Sequence, residues 1–209
     1  MGKYDRIAPL VELTKKANFF YTRQSSPKGN GHALLFAKEF IGDDPFAFSD
    51  GDSIIDSKTP VTQQLIKVFH KHGAPVIGVQ HITDKKAMTK YGNVYGTPQK
   101  DARVFRVSKF AEKPDEKHVS PHGLIVGGMR YILTKDIWPI LEKQAAGRGG
   151  EIWLSDAANT LAKRKKFFAY EYEGKYLDTG NKEALLKAAI HFAMKDPTMR
   201  TEIQELVSQ

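Results

Sequence analysis

The stretch PKGNGHALLFAKEFIGDDPFAFSDGD, residues 27–52, joins a glycine-rich turn, a helical run, an apolar run and a cluster of acids. The pattern predicts a turn, then a helix over residues 32–40 that breaks at Gly42-Asp43-Asp44-Pro45. A strand Phe46-Ala47-Phe48 then runs out into Asp50-Gly51-Asp52. In open α/β sheets ligands collect at the carboxyl ends of strands, and acids leaving a strand there can hold a divalent cation through hard oxygens. A plain turn is the competing reading of SDGD, because Asp and Gly are common turn residues.

Working outward, the sequence keeps alternating between strand and helix signals. Residues 8–16 read as a helix and residues 18–22 as a strand entering the glycine turn. Ser57-Lys58-Thr59-Pro60 opens a helix in which Val61, Leu65, Val68 and Phe69 recur at helical spacing, and Gly73 ends it. Residues 75–82 are a Val/Ile-rich strand, which completes a strand–helix–strand unit. Short β-like runs occupy residues 91–113, and residues 115–122 form a polar loop. Residues 124–133 are a strand interrupted by Gly127-Gly128, after which Thr134 starts a short helix. A loop at residues 147–150 leads into a helix from Glu151 to Lys163, a strand over 167–173 and a turn at Gly174 into Lys175-Tyr176-Leu177-Asp178. An amphipathic helix over 181–195 turns Ala184, Leu185, Ala188, Ala189 and Phe192 inward, and Asp196-Pro197 starts a last helix. About seven strands alternating with helices predict an α/β fold, a mixed, mostly parallel sheet flanked by helices.

Bulk properties narrow the function. With 209 residues the chain can bury a real core as one domain. It contains no Cys, which excludes disulfides and thiolate zinc sites and suits a reducing cytoplasm. No apolar run approaches the roughly 20 residues of a membrane span, and MGKYDRIAPL has no signal-peptide core, so a cytoplasmic protein is expected. A net charge of +8 favours anionic partners such as nucleotides and sugar phosphates. The densest basic run, Lys163-Arg164-Lys165-Lys166, closes a helix, where cations complement the dipole. No nucleic-acid-binding signature accompanies it.

Seven blocks in order carry a resemblance: RQSSPKGNGHA, PFAFSDGDSII, KYGNV, FAEKP, VGGMRYILTKDIWPIL, GGEIWLSDA and EGKYLDTGNKEALLKA. Together they make the chain similar to the bacterial UTP–glucose-1-phosphate uridylyltransferases, and more distantly to the glucose-1-phosphate thymidylyltransferases. The resemblance implies a nucleotide-diphospho-sugar transferase-like fold. It also implies transfer of a uridylyl group from UTP to glucose-1-phosphate, giving UDP-glucose and pyrophosphate. It places Mg²⁺ on Asp52 and Asp178, puts Lys113 on the sugar phosphate, and aims Glu112, Glu151 and the Gly92 amide at sugar hydroxyls. The turn with Gln24, Gly29 and Gly31 would receive the uracil edge, the glycines letting the backbone lie against a flat base. From the residues alone, Asp178 reads equally as a helix cap, and the Glu112–Lys113 pair as a solvated strand end.

The family's opening strand, its GxGTR loop and its PKxxLP stretch have no counterpart in this sequence. The expectation is a fold lacking its first βαβ portion, with an unpaired sheet edge, lowered turnover, and self-association or complementation by a partner chain. IVGGMRY also departs from the family's shorter GRY. Two further readings are a nucleotide-sugar-dependent glycosyltransferase using Asp50-Gly51-Asp52 as a DxD motif, and a non-catalytic module that binds sugar nucleotides.

Overall fold

Val76 and Ile77 are neighbours on one strand, yet they bury into different hydrophobic clusters. The same division separates Ile132 from Tyr131 and Leu133, Phe168 from Phe167 and Ala169, and Val104 from Phe105. Side chains of a strand alternate between its faces, so these strands form one sheet covered on both sides. The computed structural model describes residues 3–208. In chain order its strands are β1 (Phe46–Phe48), β2 (Ser53–Asp56), β3 (Val76–His81), β4 (Gly92–Pro98), β5 (Val104–Glu112), β6 (Leu124–Leu133), β7 (Phe168–Glu171) and β8 (Lys175–Asp178). Its helices are α1 (Lys3–Thr14), α2 (Asn30–Leu35), α3 (Lys38–Ile41), α4 (Val61–His72), α5 (Lys85–Met88), α6 (Trp138–Lys143), α7 (Leu154–Arg164), α8 (Lys182–Ala193) and α9 (Pro197–Val207).

One face of the sheet is covered by α4 through Val61, Leu65 and Val68. The other is covered by α2, α6 and α7 through Leu34, Leu141, Leu154, Ala157, Ala158 and Leu161. The large sheet has the order β1-β6-β3-β7-β5-β4, and β2 pairs with β8 in a separate two-stranded ribbon. The mixed α/β class is as expected. Its ladders, however, are mainly antiparallel. Only β3–β7 is a parallel pair among the described residues, while β1–β6, β3–β6, β5–β7, β4–β5 and β4–β6 are antiparallel. The expected strand–helix–strand unit exists, since β1 and β3 both run antiparallel to β6 and hence parallel to each other. They are not adjacent, because β6 inserts between them. A strand arriving from far along the chain is invisible to local pattern.

Several elements shift for identifiable reasons. Residues 18–22 form no strand; Phe19, Phe20 and Tyr21 are exposed, and no neighbouring strand supplies a ladder. The helix expected over 32–40 divides into α2 and α3. Pro60 occupies the N-cap of α4, one residue ahead of its expected place, and Gly73 closes that helix in the left-handed region at φ 61°. Glu151 does not open a helix. Residues 151–153 are extended, with the Ile152 amide donating to the Lys28 carbonyl and the Ile152 carbonyl accepting from the Gly31 amide, and α7 begins at Leu154. On α8 only Ala188 of the expected inner face is buried, while Leu185 and Phe192 are exposed. Among the described residues no helix is long and apolar enough to cross a membrane.

Candidate active-site cleft

A cleft of 290 Å³ is bordered by Asp50, Asp52 and Asp178 on one side and by Gly92, Glu112 and Lys113 on the other. The β2–β8 ribbon builds the acidic side. Its register pairs Ser53 with Asp178, so Asp52, the residue before β2, falls beside the last residue of β8. Thr179 locks this arrangement, because its amide and hydroxyl both donate to the Asp52 carbonyl, at 3.0 and 2.8 Å. Gly180 marks where the two acids converge. A Cβ there would lie 3.0 Å from Asp52 Oδ2 and 3.2 Å from Asp178 Oδ1. Asp178 sits at the carboxyl end of its strand as expected, whereas Asp52 precedes β2 instead of ending β1. The short run Ser53–Asp56 carries too little periodicity to reveal itself as a strand. The helix-cap alternative for Asp178 fails, since Asn181 caps α8 by accepting from the Ala184 amide at 3.0 Å.

The ribbon is pinned to the sheet through β6. Ile77 pairs with Tyr131 but Val79 with Val126, so residues 127–130 bulge out of the ladder. Gly128 and Met129 at the bulge have φ of 72° and 41°. This lets Arg130 donate to the Gly128 carbonyl at 2.7 Å and to the Ser53 carbonyl at 2.6 Å. The sequence departure IVGGMRY is thus a bulge that presents Met129 to the cleft and anchors β2.

The opposite wall comes from the β4–β5 ladder, in which Gly92 is the partner of Glu112. A Cβ at Gly92 would stand 3.0 Å from Glu112 Oε2, so the glycine leaves room for that carboxylate. Lys113 follows β5 with φ 43°, a left-handed conformation rare for a side-chain-bearing residue and disfavoured before Pro114. Its amide donates to the Tyr91 carbonyl at 3.2 Å. Strain of about 1–3 kcal/mol of this kind tends to collect at functional positions.

The remaining sequence-derived residues lie around this cleft. Glu151 borders an adjoining hollow of 310 Å³ that shares Glu112, Lys113, Trp153, Ser155 and Asp156 with it. Gln24 borders a separate hollow with Arg23, Ser25 and Pro27, and its amide contacts the Gly29 carbonyl at 3.2 Å and His32 Nδ1 at 2.7 Å. Gly29 does not line the main cleft; the turn reaches it through Asn30. The local need for both glycines is the backbone of Ile152. A Cβ on Gly29 or Gly31 would approach the Ile152 carbonyl oxygen to 2.7 or 2.8 Å.

Sequence reasoning did not find Asn30, Lys90, Tyr91, Tyr131, Trp153 or Tyr176, all of which border the cleft. Asn30 Oδ1 accepts from the Leu154 amide at 2.9 Å, and its side chain also favours the charged form of Asp50. Burial, and then the neighbouring Asp52 charge, push the Asp50 carboxyl up, against the Asn30 hydrogen bond and the Arg130 charge. Tyr131 is buried at the border of the cleft with a hydroxyl lacking a partner among the described residues, and burial raises its pKa. Among the described residues no group of three or more His, Cys, Asp or Glu gathers into a metal centre. The two oxygens converging at Gly180 instead suit a hard cation that takes its other ligands from phosphate and water.

Fold and cleft together define an α/β protein with paired carboxylates facing a Glu-Lys wall, an arrangement suited to phosphorylated substrates. The chain belongs to the nucleotidyl transferase family, whose sequence profile it matches over residues 5–195. It is 40% identical, over 208 residues, to UTP–glucose-1-phosphate uridylyltransferase 2 of Staphylococcus saprophyticus, covering 100% of this chain and 71% of that one. The corresponding enzyme of Staphylococcus epidermidis is 38% identical over the same shares. Among solved structures, UDP-glucose pyrophosphorylase complexed with UDP-glucose superposes with a TM-score of 0.84 at 31% identity, over 93% of this chain and 73% of that chain. UTP-bound UGPase from Acinetobacter baumannii gives a TM-score of 0.84 at 26% identity, over 99% and 71%. These relatives do not favour the DxD glycosyltransferase alternative.

Proposed function

We propose that this chain catalyses uridylyl transfer from UTP to glucose-1-phosphate, giving UDP-glucose and pyrophosphate, as a Mg²⁺-dependent cytoplasmic enzyme of carbohydrate metabolism. The observation that carries the proposal is the convergence of Asp52 and Asp178 at Gly180, across one cleft from Glu112 and Lys113. A phosphate oxygen of glucose-1-phosphate attacks the α-phosphorus of UTP. The new P–O bond forms as the bond to the β-phosphate bridge breaks, and pyrophosphate leaves with that electron pair.

Each residue has a part in this reading. The Lys113 ammonium offsets the charge of the attacking phosphate, which the triphosphate otherwise repels. Glu112 accepts from a sugar hydroxyl, the Gly92 amide donates to the sugar, and Glu151 contributes from the adjoining hollow. Gln24 and the Gly29 turn take the base beyond Asn30, which requires the Gln24 amide to exchange its contacts with Gly29 and His32. Asp52 and Asp178 would hold Mg²⁺, which when bound supplies charge neutralisation at the phosphates. Orientation of the two substrates contributes the rest.

Residues 1–209 act in this proposal as one domain, self-associated or joined to a partner chain through exposed apolar side chains such as Leu10, Phe20 and Leu186. A pyrophosphate-release assay with UTP, glucose-1-phosphate and Mg²⁺ tests the activity. Asp52→Asn should abolish release; equal rates in the variant and the parent would sink the assignment.

A further inference from the structure

Asp50 stands apart from the acid pair. It points into the same cleft, is half-buried, and forms no ion pair among the described residues. Asn30 stands beside it. The Asn30 carbonyl oxygen is taken by the Leu154 amide, so its NH₂ group is the part of that side chain that can favour the Asp50 charge. Arg130, the nearby cation, has two of its nitrogens committed to the Gly128 and Ser53 carbonyls. A turn residue has no need of such an arrangement, because placing a carboxylate beside Asp52 costs energy and gains no packing.

Tyr131 faces the same place. It pairs with Phe48 across β1–β6, two residues before Asp50, and their rings meet at 6.2 Å between centroids. It is 1% exposed, it borders the cleft, and its hydroxyl has no hydrogen-bond partner among the described residues. A buried hydroxyl left this way costs about 1–3 kcal/mol. The cleft therefore offers an acceptor in Asp50 and, buried at its border, a donor with no acceptor among the described residues, the Tyr131 hydroxyl, which must turn towards a ligand to reach it. A phosphate oxygen only accepts and is repelled by Asp50, and an N–H group only donates. A hydroxyl does both.

We infer that Asp50, beside Asn30, is a specificity-determining residue that accepts a hydrogen bond from a sugar hydroxyl of the substrate, with Tyr131 turning to donate to the same oxygen. The inference rests on the uridylyl-transfer reading of the cleft. Two sources can supply that hydroxyl, the ribose of the nucleotide or the hexose of the sugar phosphate.

The test compares the full chain with Asp50→Leu and Tyr131→Phe. Parent substrates are set against analogues lacking one hydroxyl: 2′- and 3′-deoxy-UTP in one arm, and the 2-, 3-, 4- and 6-deoxy forms of glucose-1-phosphate in the other. KM and kcat are read for each, calorimetry measures UDP-glucose binding, and the Mg²⁺ dependence is followed in parallel. Removing a hydrogen bond to a charged acceptor should cost the wild type about tenfold or more in kcat/KM for one analogue. Asp50→Leu should lose a similar factor on the parent substrate and nothing further on that analogue. Tyr131→Phe, which deletes an unpartnered hydroxyl and should fold normally, should blunt discrimination against the same analogue. The arm in which discrimination collapses identifies ribose or hexose. Discrimination in Asp50→Leu equal to wild type for every analogue overturns the inference. So does a shifted Mg²⁺ requirement with sugar discrimination intact, which would make Asp50 a metal-side acid. A wild type that binds no UDP-glucose sinks the reading of the whole cleft, a result distinct from either.

Discussion

Thr179 donates twice to the main-chain carbonyl of Asp52, through its amide at 3.0 Å and its hydroxyl at 2.8 Å. One acid-bearing loop is thereby tied to the residue that follows the other acid. The amide bond survives replacement by Val, whereas the hydroxyl bond is lost. Thr179→Val should lower kcat about 3- to 10-fold, the size of one hydrogen bond, and raise the Mg²⁺ concentration needed for half-maximal rate. KM for glucose-1-phosphate should stay unchanged. Steady-state kinetics across a Mg²⁺ series separates this positioning role from general destabilisation, which would lower the active fraction without moving the Mg²⁺ midpoint.

Gly180 gives a sharper probe of the paired acids. Its φ lies outside the left-handed region, so alanine meets no backbone penalty. The added methyl instead enters the space between Asp52 Oδ2 and Asp178 Oδ1. Gly180→Ala should therefore keep the melting temperature within about 2 °C while cutting Mg²⁺-dependent UDP-glucose binding at least tenfold. Calorimetry with and without Mg²⁺ reads this directly. Unaltered metal-dependent binding would mean that the cation does not sit between these oxygens.

The sequence shows these acids far more plainly than it shows how they meet. SDGD and LDTG are legible because Asp and Gly cluster where chains turn. The β2–β8 pairing that brings them together joins two four-residue strands, too short for period-2 alternation to stand out. Likewise β6 reads as a strand, but its place between β1 and β3 depends on pairings remote in sequence. Tyr131 reads as an ordinary core aromatic. Only its unpartnered hydroxyl at the border of the cleft singles it out.

Gly29 and Gly149 both have a positive φ but differ in ψ, 170° against 8°, and in surroundings. At Gly29 the φ is 89° and a Cβ would meet the Ile152 carbonyl oxygen at 2.7 Å; at Gly149 the φ is 73° and, its chain neighbours aside, no atom of the described residues lies within 4 Å. Alanine at position 149 should cost about 1 kcal/mol from conformation alone. At position 29 the backbone lies in a region essentially reserved for glycine and the clash adds to that, so a loss of about 3 kcal/mol is expected. Urea unfolding of both variants measures the difference. Equal losses would show that the 28–31 turn yields easily and that its contact with residues 151–154 is not what requires glycine.

Asp56 ties β2, and so the acidic side of the cleft, to α8. Its carboxylate accepts from Lys195 Nζ at 2.6 Å and from His191 Nε2 at 2.7 Å. The Lys195 hydrogen bond first, and His191 second, hold the Asp56 carboxyl below its ordinary value, against a smaller upward push from burial. A carboxyl with a lower pKa in the folded state binds protons more readily when unfolded. Its stabilising contribution is therefore complete above the unfolded value near 4 and fades as the pH falls below that towards the folded pKa. Asp56→Asn removes the charge at every pH. Wild type should be more stable than the variant at pH 6 in urea unfolding, and the gap should begin to close below about pH 4. Addition of 1 M salt at pH 6 should narrow the same gap through screening. A gap of constant size from pH 6 to pH 2.5, insensitive to salt, would mean that Asp56 contributes through shape and neutral hydrogen bonding, and that the β2–α8 tie is not ionic.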